Sequence, residues 1–304
     1  MQIIAITTIM IMETANINNK TKLDERCKKC FKKSYHRLSD KFQLDENQRM
    51  IFDAFFKEVM IRMHSLSSPE IQRDLNQRFC EIAGIKDSFE LEKRIFNDLA
   101  MKLTDEWKPK VLVSKNPFDM ALRLAIAGNI IDYGANHEFD VYKTIEKVMA
   151  ESFAINHSQQ LKEAILKADH VLYLGDNAGE IAFDKLFIEV MQAKNVTFAV
   201  KSGPILNDVL MKDAQEVKMH EVAKVISNGY DAPSTVLSKS SREFIKVFEN
   251  ADLIISKGQG NLEGLLTLND PRIYFLLMVK CDMIAELINV EKGDFAVVNR
   301  TINT

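Results

Sequence analysis

Asp176 and Asn177 sit inside a six-residue string, GDNAGE (175–180), and Asp208 ends another, PILND (204–208). Carboxylates and an amide carbonyl are the oxygen donors that hard cations such as Mg²⁺ and Mn²⁺ prefer. Three such donors leave coordination positions for water and substrate. Farther along, SKGQGN (256–261) sets Lys257 ahead of Gly258, Gln259, Gly260 and Asn261. Glycines let backbone N–H groups approach an anion, and a lysine adds a compact positive charge. A cation and an anion bound side by side suit a phosphate ester. Each string alone has a plainer reading. Asp176 and Asn177 can cap a helix, Asp208 can be a solvated helix residue, and the stretch 257–260 can be a turn. Their co-occurrence carries the functional reading.

The strings matter only if folding gathers them. From about residue 169 onward, short apolar runs alternate with helical stretches. The predicted strands are 171–174, 196–200, 223–226, 253–256, 273–279 and 295–298. Such alternation implies βαβ units and a mainly parallel sheet, and strands buried on both faces read as near-continuous apolar runs. In open α/β sheets, ligands bind beyond the carboxyl ends of the strands. The loops after four successive strands carry the strings above, together with 201–204 (KSGP) and 228–235 (NGYDAPST).

The first half reads as helices. Asp45 followed by Gln48 is a capping-box pattern. Ile51, Phe52, Phe55, Phe56, Val59, Met60 and Met63 then recur at helical spacing. Pro69 opens a second helix, whose buried stripe is Ile71, Leu75, Phe79 and Ile82, and Gly84 ends it. A third begins near Ser88 with Leu91, Ile95, Leu99 and Leu103 expected inside. Asn116 and Pro117 open a fourth that runs to Gly128. The expected fold class is α/β: a three-layer, Rossmann-like, mainly parallel sheet with an N-terminal all-helical domain. The expected division is a disordered leader or mis-called start over 1–23, with Met12 the alternative start, a helical domain over 24–168, and an α/β cation- and phosphate-binding domain over 169–304.

Of the 304 residues, 46% are apolar and 27% charged, which is globular composition, and the net charge of -3 gives nucleic acid no basic surface. Four cysteines are too few for a disulfide scaffold, so a reducing, cytoplasmic setting is expected. The apolar start over 1–12 is too short to span a bilayer, so no membrane association is expected.

Taken together, GDNAGE, PILND, DAPST (231–235) and SKGQGN resemble the motifs of the damage-control phosphatase family. AIAGNIIDYG (125–134) is similar to its GN-x-x-D element, and LMVKC (277–281) to a late strand carrying a lysine. Cys27 and Cys30 resemble the CxxC of its prokaryotic subfamily. The resemblance spans roughly residues 24 to 300. It implies an N-terminal helical domain packed on an α/β domain, and a metal-dependent hydrolase of phosphomonoesters such as sugar phosphates, using Mn²⁺, Mg²⁺, Co²⁺ or Ni²⁺. It assigns the cation to Asp176, Asn177 and Asp208. It assigns phosphate contacts to Lys257, Gly258, Gln259, Gly260, Asn261 and Lys280. Asn129 and Asp132 are expected to shape the substrate pocket from the helical side, with a helix end and its cap as the plainer reading. Asp176, Asp208 and Lys257 are then the candidate catalytic groups, with Asp176 or Asp208 accepting the proton of an attacking water. An aspartyl-phosphate on Asp176 is the other route these residues permit. One departure is Ser234, where the family often carries glycine.

Other classes fit less well. A haloacid-type phosphatase needs Asp-x-Asp directly after the first strand. A dinucleotide enzyme needs G-x-G-x-x-G, and a methyltransferase a glycine-rich cofactor loop. A non-catalytic module binding a phosphorylated metabolite would keep the lysine and glycines without needing the Asp176, Asn177 and Asp208 set. Cys27 and Cys30 stay open between helix packing, a metal role and redox chemistry, since only His36 lies near them and no second CxxC exists. Cys80 and Cys281 read as buried small apolar residues.

Overall fold

The structure is a computed structural model that describes residues 24–62, 66–129 and 141–302. Among the described residues three helices come first: α1 (Glu25–Lys41), α2 (Glu46–Arg62) and α3 (Ser68–Ala83). Their ends are set locally. Asp45 Oδ1 accepts from the Gln48 N–H at 2.8 Å, and the Gln48 side chain accepts from the Asp45 N–H at 3.0 Å. Gly84 closes α3 at φ +68°, where a side chain would be strained. Tyr35, Phe52 and Phe79 meet at the centre with ring centroids 5.0 to 5.8 Å apart. Ile71, Leu75 and Phe79 are fully buried, as their spacing predicts. Met63 lies outside the described residues.

Four more helices lead into and flank the sheet: α4 (Glu90–Leu112), α5 (Pro117–Gly128), α6 (Val141–Ala150) and α7 (Ser158–Lys167). The predicted face of α4 is corrected. Leu91 and Ile95 are 57% and 51% exposed, and the buried positions are Lys93, Asn97, Ala100, Leu103 and Val111. Two polar residues turn inward because each meets a partner: Lys93 Nζ lies 3.0 Å from Asp87, and Asn97 donates to Asp213 at 3.0 Å.

Seven strands form one sheet: β1 (Ile155–Asn156), β2 (Val171–Leu174), β3 (Val196–Val200), β4 (Lys224–Ser227), β5 (Leu253–Lys257), β6 (Ile273–Met278) and β7 (Phe295–Val298). Their order is β1-β7-β6-β5-β2-β3-β4, parallel throughout except between β6 and β7. The two-residue edge strand β1 has no sequence signal of its own. The remaining helices are α8 (Glu180–Met191), α9 (Met211–Glu216), α10 (Arg242–Asn250), α11 (Gly258–Leu265) and α12 (Asp282–Ile288).

Strand residues alternate between two cores. Val171, Tyr173, Leu253 and Ile255 join the helices α4 to α8 on one face, while Leu172, Leu174 and Ile254 join Phe244, Phe248 and Leu262 on the other. A third core draws its buried residues, from Phe31 to Phe89, from α1 to α3 and their flanks, with Leu206 packed against it. Its buried residues thus end at Phe89, and the helices from Glu90 onward pack on the sheet. Helices from Glu90 onward carry an apolar face that the sheet itself must cover, so they belong to its layer. Among the described residues, no helix is long and apolar enough to cross a membrane.

Phe79→Ala should destabilise the chain by about 3–5 kcal/mol. Ile95→Lys should stay within about 0.5 kcal/mol of the parent. Urea denaturation measures both.

Candidate functional site

The chain runs β2, β3, β4 toward one sheet edge and then crosses back to lay β5 on the opposite side of β2. That reversal opens a crevice at the carboxyl ends of β2 and β5, where Asp176 and Gly258 emerge. Backbone bonds stitch the two acidic loops together there. Val209 N–H donates to Asp176 O at 2.9 Å, Ala178 N–H donates to Asn207 O at 2.9 Å, and Asn177 bridges Asp208.

Asp176, Asn177 and Asp208 line one cavity of about 180 Å³ with Asn207, Ser234, Gln259, Gly260, Glu263 and Lys280. Ser68, Pro69 and Gln72, at the start of α3, close it from the helical unit. The three proposed cation ligands are nearly buried, and Asp208 stands with Asp176 and Asn177 although it lies in a different loop. Burial, reinforced by the Glu180 charge, pushes the Asp176 carboxyl up to about 6 against the pull of Lys280 and Lys201. Two buried carboxylates beside an amide are a donor set that fits a hard divalent cation.

The expected phosphate-binding residues divide. Gln259, Gly260 and Lys280 line the cavity, and the Lys280 N–H donates to Gln259 Oε1 at 3.1 Å. Lys257 does not line it. It is the last residue of β5 and shares the face of Leu253 and Ile255, so its side chain runs beneath the crevice. There its ammonium pairs with Glu180, with Asp184 at 2.6 Å and with Ala125 O at 2.8 Å. Burial opposes its charge, but Asp184 and Glu180 outweigh burial and raise its pKa. Asp184 is itself pushed up to about 7 by burial despite Lys257, and accepts from Tyr173 at 2.6 Å.

Gly258 serves Asp176. Its φ is +73°, and a Cβ there would collide with the Asp176 carboxylate. Asn261 is consumed by the frame, donating to Lys257 O at 2.8 Å and Gly175 O at 3.2 Å while accepting from Thr235 at 2.9 Å. Asn129 lies behind the acidic pair, donating to Asp176 at 2.8 Å and Glu180 at 3.0 Å. Asp132 lies outside the described residues.

Several residues of the site carry no advance signal of their role. Lys201, fully sequestered, donates to Ser234 O at 2.9 Å and lies 3.7 Å from Asp208, which it holds in place. Burial lowers its pKa, against the attraction of Asp208 and Asp176. Asn97 caps the acidic turn by accepting from the Gly179 N–H at 2.7 Å. Ser234, where the family often has glycine, sits at φ +95°, which explains that preference. Its Oγ lies against Gly264, and both it and Asn207 Nδ2 are buried with no hydrogen-bond partner among the described residues.

Cys27 and Cys30 lie in the first turns of α1, beside α12, where Arg26 pairs with Glu286 at 2.7 and 2.8 Å. Burial, then Glu263 and Cys281, pushes Cys27 up to about 11, which makes it a poor nucleophile. Among the described residues, no group of three or more His, Cys, Asp or Glu is arranged to hold a metal. The acidic site above differs in drawing on an amide as well.

The model of the damage-control phosphatase ARMT1-like domain matches residues 23–295. The chain belongs to this family. It is 38% identical over 214 residues to a damage-control phosphatase of Pyrococcus horikoshii, covering 69% of this chain and 74% of that one. It is 32% identical over 260 residues to a damage-control phosphatase of Archaeoglobus fulgidus, covering 82% and 90%. A crystal structure of a DUF89 family protein from Pyrococcus horikoshii superposes with a TM-score of 0.82 at 30% identity, covering 92% of this chain and 99% of that one.

Two predictions come from the buried charges. Lys257→Ala strands two carboxyls and should cost about 3–5 kcal/mol of stability, read by thermal or urea unfolding. Glu263 is held up to about 7 by burial, against an ordinary 4.5, so the folded state binds its proton more tightly than the unfolded one. Stability should therefore fall as pH rises from 4.5 to 7. Glu263→Gln should gain about 1–3 kcal/mol over the parent above pH 7 and lose that advantage below 4.5, measured in chelator.

Proposed function

We propose that this chain is a divalent-metal-dependent phosphomonoester hydrolase acting on small phosphorylated metabolites such as sugar phosphates. The observation that carries the reading is the meeting of Asp176, Asn177 and Asp208 in one cavity with Lys280 on its wall. Family membership supports phosphatase chemistry, and the two relatives named above are damage-control phosphatases.

Asp176, Asn177 and Asp208 would hold the cation, with Mn²⁺, Mg²⁺, Co²⁺ or Ni²⁺ the expected choices. When bound there, such an ion supplies Lewis acidity that neutralises phosphoryl charge and acidifies water. The chain's own residues then have separate roles. Lys280 places its charge on the substrate side of the cavity and draws the phosphoryl oxygens toward it. The Gly260 backbone sits in the first turn of α11, whose positive end favours the same anion. Gln72 and Leu206 fill the opposite wall and limit the size of the alcohol. Asp176 or Asp208 accepts the proton of the attacking water. Lys257, remote from the cavity, serves the frame.

The reading is tested by phosphate release from a panel of sugar phosphates with Mn²⁺ or Co²⁺, before and after chelation. Chelation should stop turnover and added cation restore it. Asp208→Asn should lower kcat/KM by about 10³-fold without unfolding the chain. Undiminished turnover in that variant overturns the site. Tight ligand binding without turnover in any cation favours a binding module.

A further inference from the structure

Glu180 is fully buried and does not line the cavity, yet both of its oxygens engage groups that decide how the cavity is lined. Oε1 receives the Lys257 ammonium. Oε2 accepts from Asn129 Nδ2 at 3.0 Å and from Asn177 Nδ2 at 3.2 Å. The same two amide nitrogens donate to Asp176 Oδ2, at 2.8 and 2.9 Å. Each NH₂ group thus spends its hydrogens on two carboxylates.

An ionised carboxylate only accepts hydrogen bonds. Turning either amide over would press a carbonyl oxygen against two negative oxygens. With its nitrogen committed to Glu180 and Asp176, Asn177 keeps its carbonyl oxygen for the cavity. We propose that Glu180, held by Lys257, is a positioning residue that locks the Asn177 amide with its oxygen toward the cation. The inference rests on the cation site proposed above. It also explains the placement of Lys257, whose ammonium occupies the Oε1 side, so that only Oε2 is left to face the amides.

The geometry makes a specific demand on substitution. Glu180→Gln keeps the shape but leaves one acceptor oxygen and one NH₂ group. Lys257 can only donate, so it takes that oxygen. The new NH₂ then faces the Asn177 nitrogen donor to donor, and Asp176 alone is left to hold the amide in its original orientation. Adding Lys257→Met frees the glutamine oxygen to face the amides again, which restores the original orientation without restoring the charge.

Mn²⁺ binding to the full chain, measured by calorimetry without substrate, provides the test. Glu180→Gln should weaken binding by about tenfold or more. The pair Glu180→Gln with Lys257→Met should return to within about threefold of the parent. Parent-like affinity in Glu180→Gln overturns the proposal. So does a folded pair that stays as weak as the single variant, because Glu180 would then act through its charge. A crystal structure of Glu180→Gln soaked in Mn²⁺ gives a reading that does not need the pair to fold. The Asn177 oxygen should have left the ion, and an unmoved oxygen overturns the proposal. A parent that binds no Mn²⁺, or Asp208→Asn binding as well as the parent, would instead sink the cation site itself.

Discussion

The site stands on a buried ion cluster. Lys257, Glu180 and Asp184 are all sealed from solvent beneath the β2–β5 crevice, and each would be costly to bury alone. One ammonium answers two carboxylates, and Tyr173 and Asn129 supply further donors. Everything above the cluster inherits its arrangement. Glu180 opens α8, so its position fixes where that helix begins. The turn ahead of it, with Asp176 and Asn177, is pinned from three sides: by Glu180 below, by Asn97 at Gly179, and by the 205–209 loop alongside. Gly258 leaves room for the Asp176 carboxylate to come close. The fold buries the Asp176 carboxyl beside Glu180, and burial and that neighbouring charge hold its pKa up.

Much of this was legible in the residues. Continuous apolar runs marked the central strands because a sheet covered on both faces leaves no polar positions along them. The acidic strings were legible because their residue types suit one chemistry and the strand rhythm puts them on one edge. What sequence could not supply was the direction of a side chain. Lys257 has the right type beside the right glycines, but strand alternation places it with Leu253 and Ile255, on the face where Glu180 and Asp184 wait. Lys201, in an equally polar loop, holds Asp208 instead. Asn97 gave no signal because a polar residue within a helix reads as solvated until its partner, the Gly179 N–H more than eighty positions away, is known. Leu91 and Ile95 misled for the mirror reason: apolar spacing predicts burial only when no polar pair claims the inner face first.

The cores also sort the helices into two groups. Helices α4 to α8 share one apolar layer with the sheet, while α1 to α3 keep their own. The cavity lies between these two bodies of packing. Its acidic floor and Lys280 come from the sheet, and Ser68, Pro69 and Gln72 come from α3.

The two parts are joined at Asp231. Arg73 and Gln77 of α3 both grip its carboxylate, Gln77 at 2.8 Å, and three positions later the chain reaches the strained Ser234 at the cavity wall. A small tilt of α3 would therefore drag the loop after β4 along with it, and the entrance would widen or narrow as one piece. Descendants of a common ancestor could acquire new preferences by repacking aromatic rings around Phe79 while the acidic floor stayed untouched. Within such a lineage, diversity would be expected to gather in the first ninety positions and their mouth-facing edge, and constancy at the crevice.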